Sequence, residues 1–186
     1  MNNFKATRRF ICSIIISLIS YHFFMKDLFN DLISVSIDIH MILFLCSSYI
    51  IYIVIYLILD RKVGSKEIHT LKFMYTIFLI TLFFSKDINT DIGYIKMFNL
   101  NVMGILYSFE SNNGILFFVM NIVLIIPIGF MYRKFNSILK FLFPLLLFVV
   151  IEYVQYTSGV GVFDINDIIL NTLGFYIGTF IFSKVK

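Results

Sequence analysis

The chain has 186 residues, of which 60% are hydrophobic and only 14% are charged. A soluble domain has about 45–50% apolar and about 25% charged residues, so the composition excludes a soluble enzyme, a secreted disulfide scaffold and a disordered tail. The mean hydropathy of +0.93 describes the whole chain and predicts a bilayer as the solvent. The net charge of +4 does not indicate nucleic-acid binding, because the basic residues form short clusters between apolar runs rather than one stripe.

Six apolar runs predict transmembrane helices, at residues 10–24, 41–59, 70–84, 114–132, 139–158 and 166–183. A crossing helix needs roughly 20 apolar residues, or somewhat fewer where its flanks compensate. The predicted fold is therefore an all-α, polytopic transmembrane bundle of about six helices. Residues 1–40 are expected to form an anchor helix and a first outer loop, because no small-residue cleavage site follows the first apolar run. Residues 41–183 then form the main transmembrane domain.

The basic residues predict the orientation of this bundle. Lys and Arg are enriched in short cytoplasmic loops, and in a six-span topology twelve of the fifteen lie on one side of the membrane. Only Lys26, Lys86 and Lys96 fall on the other side. Both termini are therefore predicted to be cytoplasmic. The segment at residues 85–113 is predicted to be extracytoplasmic, with an amphipathic part around residues 92–106 that suits the headgroup region.

Polar residues inside the spans indicate where function resides, because such groups are costly at depth and usually face a cavity or a partner. Glu152 and Gln155 lie three positions apart on one face of the fifth span. Asn121 lies in the fourth span. At about 100° per residue, one stripe of the sixth span carries further polar and small residues: Asp164, Asp167, Asn171, Gly174 and Gly178.

These polar residues reach a similar depth. With a rise of about 1.5 Å per residue, Asn121 and Glu152 lie roughly 10 Å from the outer ends of their helices, and Asp167 and Asn171 lie in the first turns of theirs. The sequence therefore predicts a polar pocket open to the extracytoplasmic side. Its candidate substrate-binding residues are Asn121, Glu152, Gln155, Asp164, Asp167 and Asn171.

Structural alternatives exist for four of these candidates. Asn121 and Gln155 suit simple hydrogen bonds between helices, and Asp164 and Asp167 suit the capping of a helix N-terminus. Glu152 needs a strong partner or a proton if it is buried. The residues assigned to helix packing are Pro127, Gly129, Gly174 and Gly178, with Pro127 expected to kink the fourth span and free a carbonyl group.

The sequence predicts neither a metal site nor a cofactor. The three histidines fall at span ends and in loops on both sides of the membrane in this topology. Glu152, Asp164 and Asp167 offer oxygen ligands for a divalent cation, but their spacing is not specific to one. Cys12 and Cys46 lie inside apolar runs and are interpreted as packing residues.

Three motifs resemble the VanZ-like family of bacterial membrane proteins. They are Asn121-Ile-Val-Leu-Ile-Ile-Pro127-Ile-Gly129-Phe130, Ile151-Glu152-Tyr-Val-Gln155, and Asp164-Ile-Asn-Asp167-Ile-Ile-Leu-Asn171-Thr-Leu-Gly174. Family members often carry an Asn-Leu-x-Pro-Phe type motif in the outer loop. Here Asn99-Leu100-Asn101-Val102-Met103 stands in its place, so the role of this loop is left open.

The resemblance implies a protein of the bacterial plasma membrane that lowers sensitivity to the glycopeptide teicoplanin. Such an antibiotic carries a lipid tail and acts at the outer leaflet, which the predicted pocket faces. The implied partners are membrane lipids and either a lipoglycopeptide or a lipid-linked cell-wall precursor, without nucleic acid, and an oligomer is compatible with this. Two alternatives stay open: an enzyme that modifies an outer-leaflet lipid or glycan with Glu152 as acid or base, and a small proton-coupled transporter or flippase.

Overall fold

The computed structural model describes residues 2–26, 37–60, 64–85 and 98–181. These residues are predominantly helical, which confirms the predicted all-α class. The chain divides into two compact units, Met1–Asp87 and Ile88–Lys186. The predicted first outer loop (residues 27–36), residues 86–97 of the predicted outer segment and the C-terminal lysines lie outside the described residues. The predicted division between residues 40 and 41 stays a prediction.

The first unit contains three helices. Helix α1 (Asn2–Ser20) continues into a π-helical turn (Tyr21–Met25) and packs against α2 (Ile37–Asp60), which in turn packs against α3 (Ser65–Phe84). Helix α1 buries Ser13 and Ser17, whose hydroxyls donate to the carbonyls of Phe10 and Ser13 at 2.7 and 2.6 Å. Because these hydroxyls are satisfied within their own helix, the small side chains are buried without an unpaired donor.

The second unit begins with strand β1 (Phe98–Asn99), the short helix α4 (Gly104–Tyr107) and a 3₁₀ turn (Ser108–Glu110). Four helices and a strand follow: α5 (Asn112–Val123), α6 (Ile126–Met131), α7 (Ser137–Ser158), β2 (Phe163–Asp164) and α8 (Ile165–Ile181). Helix α8 is central, since it packs against α5, α6 and α7. Ser111 and Asn136 begin α5 and α7 by accepting from the Gly114 and Leu139 amides at 3.0 and 2.8 Å, as N-cap residues do.

The fourth predicted span consists of two helices rather than one kinked helix. Helix α5 ends at Val123, and α6 starts at Ile126 after a turn at Leu124 and Ile125. Pro127 lies in the first turn of α6. A proline has no amide hydrogen to donate and is tolerated in the first turn of a helix, so the break falls just before it.

The described helices have the length and composition of a membrane protein. Four apolar stretches are long enough to cross a bilayer, at Ile39–Tyr56, Ser65–Phe84, Gly114–Met131 and Ser137–Ser158, and shorter apolar helices lie at Phe10–Phe23 and Ile165–Ile181. Each predicted span therefore corresponds to an apolar helical stretch, two of them shorter than a full crossing. Large apolar side chains such as Phe180 are exposed on the outer faces of these helices, which suits lipid surroundings. The orientation and the number of crossings stay predictions.

Candidate functional site

The end of α7 positions the first two candidate residues. Glu152 and Gln155 are buried in the last turns of this helix, with 1% and 0% of their surface exposed. Gly159 then ends the helix in the left-handed conformation, at φ 74°. The Val160 amide donates to the Gln155 carbonyl at 3.0 Å and the Gly159 amide to the Tyr156 carbonyl at 3.3 Å, which is the Schellman motif. The chain therefore leaves the helix direction at Gly159, one turn after Gln155.

Glu152 joins α7 to the start of α8. Its Oε2 accepts a hydrogen bond from the backbone amide of Asp164 at 3.1 Å. Asp164 in turn caps α8, because its Oδ1 accepts from the Asn166 amide at 2.8 Å, two residues into the helix. Capping is one of the alternatives that the sequence offered for Asp164. The carboxyl groups of Glu152 and Asp164 thus both accept hydrogen bonds from backbone amides at the start of α8.

Strand β1 brings a second segment to Asp164. It pairs in parallel with β2, with Asn99 opposite Asp164, and Asn99 Nδ2 donates to Asp164 Oδ2 at 2.9 Å. The side-chain amide of Asn166 donates to Asp164 Oδ1 at 2.9 Å and to the Asn101 carbonyl at 3.0 Å. Both oxygens of the Asp164 carboxylate are therefore hydrogen-bonded, and the segment after β1 is tied to the N-terminus of α8.

Asn99, Asn101 and Asn166 were not among the residues predicted from sequence. Asn99 and Asn101 lie in the divergent outer motif, and Asn166 lies inside the Asp164 motif. The available signal was the repeated Asn-x-Asn and Asp-x-Asn pattern, in which short polar side chains favour turns and caps. Nothing local to either pattern indicates a contact between residues 65 positions apart.

Asn121 and Asp167 form the second link of the cluster. Asn121 Nδ2 in α5 donates to Asp167 Oδ1 in α8 at 2.8 Å. Asn171 lies one turn further along α8 and is 2% exposed. The Oδ1 atoms of Asn171 and Asn166 are buried and accept no hydrogen bond from the residues that the structure describes. Among the predicted residues, the structure thus links Asn121 to Asp167 and Glu152 to Asp164.

We call Asn99, Asn101, Asn121, Glu152, Gln155, Asp164, Asn166, Asp167 and Asn171 the polar cluster. Its groups are carboxylates and amides, which recognise ligands by hydrogen bonding and, through the carboxylates, by charge. Across the described ranges, no group of three or more His, Cys, Asp or Glu side chains is placed to hold a metal ion. The deepest members are closed off from the surface in this structure, so the predicted outward opening stays a prediction.

The glycines of the motifs lie where helix backbones meet. A methyl group added at Gly174 would lie 3.1 Å from the carbonyl carbon of Ile122 in α5 and would collide with its oxygen. One added at Gly178 would lie 3.0 Å from the Cα of Gly129 in α6. Helices α5 and α6 therefore approach α8 at distances that only glycine permits. This close approach holds the polar half of α8 beside α5.

The fold and the cluster define an α-helical membrane protein whose polar residues are gathered at one end of its last helices. A family model described as VanZ/LLP1 matches residues 44–186, which include every residue of the polar cluster. The chain belongs to this VanZ family, and the resemblance seen in its motifs is confirmed. No curated protein and no solved structure matches the chain.

Proposed function

We propose that this VanZ-family membrane protein lowers the sensitivity of a bacterial cell to teicoplanin and related lipoglycopeptides. The polar cluster acts at the outer leaflet, where it contacts the antibiotic or a lipid-linked cell-wall precursor. Family membership and the helical membrane fold support the proposal. The distribution of Lys and Arg supports a multi-pass protein of the plasma membrane with both termini in the cytoplasm.

The observation that carries this proposal is the supply of hydrogen-bond acceptors in the cluster. Two buried amide oxygens, of Asn166 and Asn171, accept nothing from the described residues, and Glu152 adds a carboxylate that is almost fully buried. Buried acceptors favour a ligand that supplies donors. Glycopeptides and wall precursors carry many such donors, as peptide N–H groups and sugar hydroxyls.

Antibiotic susceptibility of cells that express the variants tests the assignment. Glu152→Gln keeps the size of the side chain and an oxygen that accepts from the Asp164 amide, but removes the charge. Asp167→Asn likewise keeps the size and an oxygen that accepts from Asn121 Nδ2, and removes the charge. Glu110→Gln is the matched control, because Glu110 is an exposed carboxylate of the same unit outside the cluster. We expect the first two variants to lose protection against teicoplanin and the control to keep it, at equal amounts of protein in the membrane fraction.

The outcome that contradicts the proposal is full protection by Glu152→Gln and Asp167→Asn. A panel of teicoplanin, vancomycin and lipid-tailed derivatives then separates recognition of the lipid tail from recognition of the peptide core. Protection confined to tailed compounds supports contact at the lipid side.

An integral-membrane enzyme is the second candidate, and the burial of Glu152 favours it. A buried carboxyl group that is held in place by a hydrogen bond can serve as a general acid or base toward a bound substrate. Mass spectrometry of lipids and wall precursors, from cells with and without the protein, distinguishes the two. A new species that disappears with Glu152→Gln supports catalysis, whereas unchanged species favour binding.

A further inference from the structure

The segment that follows β1 exposes a set of large apolar side chains. We call them the apolar rim: Leu100, Val102, Met103, Leu106 and Tyr107, with 49–63% of their surfaces exposed. The segment itself is anchored at both ends by aromatic contacts. The Phe98 ring lies 4.5 Å from that of Tyr156, and the Phe109 ring lies 5.0 Å from that of Phe118, between centroids. The rim is therefore an apolar surface on a segment whose two ends are fixed by packing.

Two polar groups at the start of this segment turn inward, away from its exposed apolar side chains. Along residues 98–102, the Asn99 side chain and the Asn101 carbonyl turn inward to Asp164 and Asn166. Leu100 and Val102 alternate with them and point outward. Isolated exposed apolar residues are ordinary in soluble proteins, but a contiguous set beside an inward-facing Asn99 side chain and Asn101 carbonyl indicates apolar surroundings.

Several backbone amides of the segment are hydrogen-bonded within it, which suits apolar surroundings. The Met103 amide donates to Asn101 Oδ1 at 3.1 Å, the Gly104 amide to the Asn101 carbonyl at 3.1 Å, and the Leu106 amide to the Met103 carbonyl at 2.9 Å. Unpaired amides are costly where water is scarce. These three amides are paired within the segment, which lowers the cost of removing this turn from bulk water.

The position of the segment along α7 sets its depth. Helix α7 has 22 residues, or about 33 Å at 1.5 Å per residue, close to the roughly 30 Å of the hydrocarbon core. Phe98 packs beside Tyr156 in the last turns of that helix, and β1 pairs with β2 immediately before α8. The segment therefore lies level with the end of a membrane-length helix, where aromatic and amphipathic residues meet the headgroups.

We infer that the apolar rim is immersed in the bilayer at the boundary between headgroups and acyl chains, with membrane lipid as its partner. The inference rests on the placement of the segment and not on the proposed antibiotic function. Lipid then contacts the outer side of this segment, while its inner side is hydrogen-bonded to Asp164 and Asn166 in the polar cluster.

Single tryptophans test this immersion, because the chain contains none. Leu100→Trp and Val102→Trp report from the rim. Leu146→Trp, near the middle of α7 and exposed on its surface, reports from the hydrocarbon core, and Lys134→Trp, exposed in the turn after α6, reports from water. Each full-length variant is reconstituted into phosphatidylcholine–phosphatidylglycerol vesicles whose acyl chains are brominated either near the headgroup or near the terminal methyl.

We expect the rim tryptophans to be quenched most by bromine near the headgroup, to roughly half or more of the maximal quenching of Leu146→Trp, because interfacial segments sit about 5–10 Å into the boundary. Lys134→Trp is expected to respond to aqueous iodide instead. Iodide quenching of the rim positions equal to that of Lys134→Trp would overturn the inference, as would strongest quenching by bromine near the methyl end. If a rim variant loses helical circular dichroism, Met103→Trp on the same rim replaces it.

Discussion

Gly178→Ala tests whether the close approach of α6 and α8 holds this fold together. The added methyl group would lie 3.0 Å from both Gly129 Cα and the carbonyl carbon of Ile126, and it would collide with the carbonyl oxygen of Ile126. All of these atoms belong to backbone. No side chain can therefore rotate away, and the two helices must move apart.

The expected cost follows from the size of this movement. Carbon atoms pack favourably at about 3.5–4.0 Å, so a contact of 3.0 Å requires a separation of about 0.5–1 Å, which forfeits a quarter to a half of the dispersion energy across the contact. Overpacking of this kind costs about 1–3 kcal/mol. At about 1.4 kcal/mol for each tenfold change, the ratio of folded to unfolded protein falls by roughly 5-fold to 150-fold.

Equilibrium unfolding in detergent micelles, followed by circular dichroism, measures the effect. Gly161→Ala is the matched control, because its added methyl group would lie 3.5 Å from Gln155 Cβ, an ordinary van der Waals contact. We expect the control to change the free energy of unfolding by less than about 0.5 kcal/mol. Equal unfolding free energies for Gly178→Ala and the parent would refute the argument that backbone contact between α6 and α8 stabilises the unit.

Three further predictions concern the polar cluster and its supports. Asp164→Ala removes the cap of α8 and the acceptor of the Asn99 amide, so we expect the free energy of unfolding to fall by about 1–2 kcal/mol. Asp164→Asn keeps an oxygen that can cap the helix and should lose less. Equal losses for the two variants would argue against capping. Gly159→Ala places a side chain at φ 74°, a left-handed conformation that costs an L-residue about 1–2 kcal/mol. We expect faster hydrogen exchange at the Val160 amide, and unchanged exchange would contradict the role of the Schellman turn. Asn121→Ala removes a hydrogen bond between helices that is worth about 0.6–2 kcal/mol. A double-mutant cycle with Asp167→Ala should give a coupling free energy of that size. A coupling free energy near zero would exclude the bond as a stabilising contact.

The spans could be predicted from the sequence because their signal is contained in each segment. An apolar run long enough to cross a bilayer is visible without knowledge of its neighbours, and the polar stripe of α8 follows from helical periodicity alone. The ends of the helices were less accurate, since hydropathy locates the apolar part of a helix and not its last hydrogen bond. Helix α1, for example, begins at Asn2, well before the first predicted span at residue 10.

The contacts that assemble the polar cluster could be predicted only in part. Glu152 and Asp164 were selected because ionisable groups are rare inside apolar segments. Asn99 and Asn101 carry no such signal, because the sequence predicts a loop there and asparagine is common in loops. Their contacts depend on a parallel pairing of two residues in each strand, too short to leave an alternating pattern, and on partners far away in the chain.

Helix α8 combines two kinds of contact along its length, and the combination suggests how the cluster responds to a ligand. Gly174 and Gly178 hold its later turns against α5 and α6 through backbone contacts that leave no room for adjustment. Its first turns are held instead by side-chain hydrogen bonds to Asn99 and the Asn101 carbonyl, which can exchange partners with a ligand at little net cost. We therefore expect ligand binding to release the segment after β1 while α8 stays in place, so hydrogen exchange should rise in residues 98–104 and stay constant in α8; a rise confined to α8 would contradict this division.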